Sequence, residues 1–342
     1  MKSIFWTYLA TAVIALTTPV TTANASEAES STDCGVISPV VNFDELSMDL
    51  KGCSANDGIS FPDGSFVEIP SPGQALASSR LLAFGVEQEA IVWRNPDGTI
   101  GASYQGEVKG FSAQVPQTQN LLSGMLVDGG LNGITDAGCY SNSYSEHLWK
   151  HSEVYNWWYS PSGESSTRAL ARAKDAVDQW RFPKNRCNLD TFQTNFKASF
   201  MGVTDTSSSL SKANGCYGSK DAKNIISWGE LPTGTLGRTC TEYNVASGMI
   251  IETDIRLNLS MAQNQFFDLA DSTLCGVGDY LLVTTLAHEV GHAIGLGHAA
   301  ETASQLMSPF SPQCTVDFIG LAPGDYLGLK QHYGVRGLYE AI

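Results

Sequence analysis

Residues 288–298 read HEVGHAIGLGH and hold three of the six histidines in a chain of 342 residues. On a helix, His288 and His292 stand four residues apart and so lie one above the other on the same face. Were the helix to continue, His298 would sit about 9 Å further along the axis than His292 and point away from that face. The three could not then share one ion, since a zinc–nitrogen bond is about 2.0–2.1 Å. The chain must therefore turn back after His292. Gly295 and Gly297 are the places for it, because glycine accepts a positive φ that a Cβ resists. Any fold for this chain has to supply a helix that stops at that point and a loop that returns.

The residue types point to one chemistry. Three neutral imidazoles leave a tetrahedral zinc with one open position, the pattern of a catalytic site rather than a structural one. Water on such a zinc is acidified, and Glu289 is placed as the general base that takes its proton and passes it to a leaving amine. The expected reaction is hydrolysis of a peptide bond without a covalent enzyme intermediate. A lone histidine on an apolar helix is ordinarily a satisfied core residue, but His288, Glu289, His292, Gly295 and His298 fall together on a segment that must end where the glycines stand.

Residues 1–25 carry one charge, Lys2, then an apolar run from about Ile4 to Leu16 and the triplet Ala23, Asn24, Ala25. The run is too short to span a bilayer, and small residues at that spacing suit a signal peptidase. A signal peptide over 1–25 is expected, with a secreted, extracellular or periplasmic mature chain that has no membrane span. Eight cysteines, Cys34, Cys53, Cys139, Cys187, Cys216, Cys240, Cys275 and Cys314, all lie beyond it. An even count in an exported chain implies up to four disulfides of undetermined pairing. A net charge of −15 without basic clusters argues against nucleic acid or anionic membrane as partners.

Short apolar runs broken by turn residues mark 26–145 as a β-rich N-terminal region, a propeptide or an accessory domain. Within it, AIVW and TIGASY flank an Asn95–Gly98 turn and form a hairpin. A glycine-rich stretch over 128–145 marks the boundary to a domain over 146–342. The aromatic patch around Trp149, Tyr155, Trp157, Trp158 and Tyr159 reads better as buried strand than as a sugar site. Ser165 or Ser166 can cap a helix whose Ala169, Leu170, Ala173, Val177 and Trp180 face inward. In GMIIETDIRLNLS, the alternation of Ile251, Thr253, Ile255, Leu257 and Leu259 with Glu252, Asp254, Arg256 and Asn258 predicts a strand with one buried face. A second helix starts near Asp279. A last short one carries Tyr326, Leu329 and Tyr333 on one side and stops at Gly334. Helices over a sheet make the class α+β.

The motif resembles that of the metzincin metallopeptidases, H-E-x-x-H-x-x-G-x-x-H followed by a Met-turn, with Met307 in SQLMSPF where the turn falls. Among metzincins the sequence is similar to matrixins, bacterial ones especially, through VYNWWYSP, ETDIRLN and LAPGDYLGLKQHYG, over about 147–337. The resemblance implies a zincin fold: a twisted mixed sheet with the active-site helix and a second long helix. It implies one catalytic zinc on His288, His292 and His298, with Met307 beneath the metal and Ser308, Pro309 and Phe310 walling a pocket. It also implies protein or peptide substrates laid extended along an edge strand, for which Ile250–Asn258 is the candidate. The expected state is a monomer.

The sequence also departs from the family. Only His147, His151 and His332 remain for any second zinc; calcium has no placed site. Ala299 replaces a usual Ser or Thr. Gly324 and Asp325 stand where matrixins carry two acids, which puts in doubt their salt bridge to a newly cut N-terminus. Cys34, Gly35 and Val36 repeat letters of the propeptide thiol that silences matrixin precursors, although the flanks differ and Cys53 offers a disulfide partner. The alternative to an endopeptidase is a surface-binding or adhesive protein that keeps the fold without cutting; retention of Glu289 favours the enzyme.

Overall fold

The computed structural model describes residues 58–336 apart from 62, 84–87, 106–136, 153, 165–167, 184, 190–192, 219–220, 263–265, 268–277, 300–304, 312 and 314–318. The signal segment, Cys34, Cys53, Ser165, Ser166, Cys275 and Cys314 fall outside the described residues.

The N-terminal part is built of β1 (Gly58–Ser60), β2 (Phe66–Glu68), β3 (Gln74–Leu82), β4 (Gln88–Arg94) and β5 (Ile100–Gln105). The predicted Asn95–Gly98 turn joins β4 to β5: Asn95 N–H bonds Thr99 O at 2.8 Å and Gly98 takes φ 90°. A short 3-10 helix, Ala137–Tyr140, precedes β6 (Ser145–Glu146), β7 (Val154–Ser160), α1 (Ala169–Arg181) and β8 (Lys197–Val203). Two short strands follow, β9 (Ser211–Lys212) and β10 (Gly215–Cys216), then three longer ones, β11 (Asn224–Gly229), β12 (Thr235–Asn244) and β13 (Ile250–Asn258). The single turn α2 (Leu259–Ala262) and the pair β14 (Phe266–Phe267) and β15 (Tyr280–Leu281) lead into α3 (Leu282–Ala293). The described chain ends with β16 (Leu296–Gly297) and α4 (Pro323–Tyr333).

One eight-stranded sheet runs β5-β4-β3-β12-β13-β11-β7-β8. The β13, β11, β7 and β8 half is parallel and the β12, β3, β4 and β5 half antiparallel, so the sheet is mixed. On one face lie α1 and α3, locked by the Trp180 indole N–H to Ala287 O at 2.8 Å. Their shared core takes Tyr155, Trp157 and Tyr159 of β7 with Val177, Trp180, Leu286 and Val290. Tyr155, Trp157 and Tyr159 of the aromatic patch are thus core, while Trp158, on the alternate face of β7, is only partly buried. On the other face, Leu76, Val92, Ile100 and Ala102 pack on Ile59 and Val67 of a small sheet ordered β1-β2-β10-β9. The Cys216–Cys240 disulfide crosses that interface, and Cys139–Cys187 ties the segment before β6 to the one after α1.

Three expectations need correction. Ile250–Asn258 is not an edge: β13 lies between β12 and β11, and β12 is itself covered by β3. Alternation reports that a face is buried but not how many strands flank it. Nor is β13 polar-out, since Glu252 and Asp254 are fully buried while Ile251 is 37% exposed. The outer face of β13 is covered by the segment 208–212, whose Ser208 hydroxyl and Ser209 and Leu210 amides all bond Asp254 Oδ2 within 2.9 Å. Lastly, α1 starts at Ala169 behind Arg168, without a side-chain cap.

Candidate metal centre

Helix α3 is buried at every position, and its sequence stops it where the motif requires. Gly295 sits at φ 96°, and a Cβ there would come within 2.1 Å of Trp149 O, so both conformation and space demand glycine. After the turn, β16 pairs with β6 through Leu296↔Glu146 and Gly297↔Ser145. Ser145 Oγ donates to His298 O at 2.7 Å, and Ala299 N–H donates to Met307 O at 2.8 Å. The third histidine is therefore held on one side by β6, remote in sequence, and on the other by the turn that carries Met307.

This geometry brings His288, His292 and His298 together, with one ligand atom from each lying within 4.8 Å of the others. His288 Nε2 and His292 Nε2 approach to 3.0 Å, while their Nδ1 atoms lie 2.6 Å from Leu306 O and 2.9 Å from Leu296 O. A carbonyl can only accept, so each Nδ1 carries the proton and each Nε2 presents a lone pair. Two closely facing lone pairs need a cation between them, and the oriented, neutral imidazoles fit zinc.

Glu289 is fully buried beside the triad. Thr239 Oγ1 of β12 bonds its carboxylate Oε2 and lies 3.1 Å from its main-chain O. At Gly237 of the same strand a Cβ would meet Glu289 Oε1 at 2.6 Å, so a side chain there would push the carboxylate aside. Met307 packs against Gly291 of α3, where a Cβ would stand 2.2 Å from its sulfur. The turn carrying Met307 is held by Asp325 of α4. Its carboxylate accepts Leu306 N–H at 3.0 Å, Met307 N–H at 2.9 Å and Ala322 N–H at 2.9 Å. Burial nevertheless pushes this carboxyl above its ordinary range. Its oxygens are thus engaged with the Met307 turn and the α4 N-terminus. At Gly324 a Cβ would come within 1.9 Å of Ser143 O, which leaves no room for a second acid.

A further carboxylate comes from the N-terminal strands. Glu89 of β4 has Oε1 3.0 Å from His147 Nε2. Burial works to raise its pKa, but His147 outweighs it with help from His298 and His292, and the carboxyl is held below its usual range. His147 stacks on Trp149 at 3.9 Å, and Trp149 on Tyr243 at 4.5 Å. Sequence reading singled out the triad, Glu289, Met307 and Asp325, but not Thr239, Gly237 or Glu89. No local pattern marks those three, whose roles come from a register between strands distant in the chain. His147 and His332 were visible only as residues outside the motif; His332 bonds Trp149 O at 3.0 Å and Glu146 Oε2 at 3.2 Å, bracing β6.

Among solved structures, metalloproteinase-II from Bacteroides fragilis is similar at 12% identity over 73% of this chain and 79% of that one, with a TM-score of 0.29. The matrixin family model matches residues 230–334, and the part of the chain that carries the three histidines, Glu289, Met307 and Asp325 is accordingly matrixin-like.

Proposed function

We propose that this chain is an exported zinc-dependent endopeptidase that acts on proteins or peptides. The observation that carries the reading is the convergence of His288, His292 and His298, their first two Nδ1 atoms tied to carbonyls, beside a carboxylate fixed by Thr239. Zinc held by His288, His292 and His298 would supply a Lewis acid that acidifies water and polarises a carbonyl. The remaining work belongs to the chain. Glu289 takes the proton of the attacking water and returns it to the leaving amine as the C–N bond breaks. Thr239 and Gly237 hold its carboxylate on the metal side, and Asp325 holds the turn that carries Met307.

The test is Glu289→Gln in zinc-loaded protein, with cleavage of casein and zinc content both measured. Cleavage should fall by at least ~100-fold, the lower range for a general base, with one zinc retained. Unchanged cleavage would sink the mechanism. Loss of zinc would place Glu289 in metal binding instead.

A further inference from the structure

Strand β12 carries a second group of charges on the face opposite Glu289. Gly237 and Thr239 meet Glu289, so Arg238 between them points the other way, towards the small sheet that Cys240 joins through its disulfide to Cys216. The register sets Arg238 directly opposite Arg80 of β3 on one side and Arg256 of β13 on the other. Three guanidinium groups thus stand in one row across three adjacent strands. Like charges directly opposite each other in a sheet are destabilising, and here Arg238 is fully buried and Arg80 only 6% exposed.

Two of these cations have an anionic neighbour. Arg80 Nη2 bonds Asp63 Oδ2 at 3.0 Å and also Gln88 Oε1. Arg256 lies in the field of Asp254 and donates from Nε to Ser211 O at 2.6 Å. Arg238 has main-chain carbonyls alone as hydrogen-bond partners among the described residues, Nη1 reaching Lys212 O at 2.7 Å and Ala213 O at 3.3 Å. Its Nε and Nη2 are buried without a partner, as is Arg80 Nε across the register. Asp63 and Glu289 act on Arg238 through space, without a hydrogen bond. The buried Glu242 and Glu252 of this face stand two rows away along the strands. Burial first and Arg80 second lower the Arg238 pKa to about 10, so the group is still a cation at neutral pH.

A buried charge with unmade hydrogen bonds is costly. Water could accept from these N–H groups but would leave the charge uncompensated. We propose that Arg238 and Arg80 hold a small monovalent anion, chloride, with Arg238 Nε and Nη2 and Arg80 Nε as its donors. The charge count fits one such ion, since Arg80 with Asp63 and Arg256 with Asp254 leave Arg238 as the excess. Donor atoms sealed from solvent favour a monatomic ion over an organic acid. The anion would brace β12 from behind Gly237 and Thr239, and the site does not depend on the peptidase reading.

The test compares the full-length, zinc-loaded protein in sodium chloride and in sodium gluconate at one ionic strength. Replacing gluconate by about 100 mM chloride should lower the unfolding constant in urea ~10-fold, as linkage requires of a site with a Kd of about 10 mM. Arg238→Met keeps the length of the side chain without its charge and should lose that response, whereas chloride bound to the zinc would give a response that persists in the variant. A parent protein indifferent to chloride overturns the proposal, and so does a folded Arg238→Met that responds as the parent does. Should that variant fail to fold, crystals of the parent soaked in bromide decide: anomalous scattering between the Arg238 and Arg80 guanidinium groups supports the site, and its absence there overturns it.

Discussion

Gly291→Ala should destabilise this protein although it places a better helix former in the middle of a helix. The exchange alone favours the variant by about 1 kcal/mol. Against it stands the packing around Gly291: the new Cβ would lie 2.2 Å from Met307 Sδ, 3.0 Å from Met307 Cε and 3.0 Å from Trp180 Cζ2. Trp180 cannot retreat, being fully buried and bonded to Ala287 O at 2.8 Å. Nor can the Met307 backbone move freely, with N–H on Asp325 Oδ1 at 2.9 Å and O on Ala299 N–H at 2.8 Å. Only the thioether side chain can yield, into surroundings where Met307 is 2% exposed. Overpacking of this kind costs about 1–3 kcal/mol. The balance is a net loss of roughly 1 kcal/mol, the small difference of the two terms. Displacing Met307 should also weaken zinc binding by about tenfold, the low end for a residue supporting metal ligands. Urea unfolding of the metal-free protein and zinc titration against a competing chelator would measure both. In a Met307→Ala background the overlap is gone, so Gly291→Ala should become neutral or stabilising. A variant as stable as the parent with unchanged zinc affinity, or two substitutions whose effects simply add, would refute the reasoning.

Asp325→Ala leaves three buried amides, those of Leu306, Met307 and Ala322, without their acceptor. It should cost about 3–5 kcal/mol, at the upper end for single substitutions, and lower zinc affinity; a loss under ~1 kcal/mol in thermal or urea unfolding would contradict the assigned role. Thr239→Val removes the hydroxyl from Glu289 with little change in volume, so kcat in casein hydrolysis should fall about tenfold or more while zinc content holds; an unaltered rate would show that Glu289 needs no such support. Asp254 gives a pH dependence: burial first and Glu252 second raise its pKa to about 7. Because the folded value exceeds the unfolded one of about 4, the native state binds this proton more tightly. Its stability contribution is full below about pH 4 and is lost as pH rises through about 7. Metal-free protein should therefore lose stability between pH 5 and pH 8 by more than Asp254→Asn does, and equal slopes would exclude this carboxyl as the source.

What the sequence determined by itself was the local geometry of the centre. The i, i+4 spacing of His288 and His292 and the glycines after them dictate a helix, a stop and a return, because those constraints act within eleven consecutive residues. The α1 face, the β4–β5 hairpin and the Gly334 stop were legible for the same reason. Tertiary structure alone decided what lies next to the centre. Thr239 and Gly237 meet Glu289 from β12, Asp325 holds the Met307 turn from α4, and Ile250–Asn258, read from sequence as an edge, lies between β12 and β11. The apolar alternation of a strand is the same whether it has one neighbour or two, since pairing runs through backbone amides and carbonyls that every residue possesses. Which strand stands at the edge, and therefore how the metal is reached, is settled only by the three-dimensional order of the sheet.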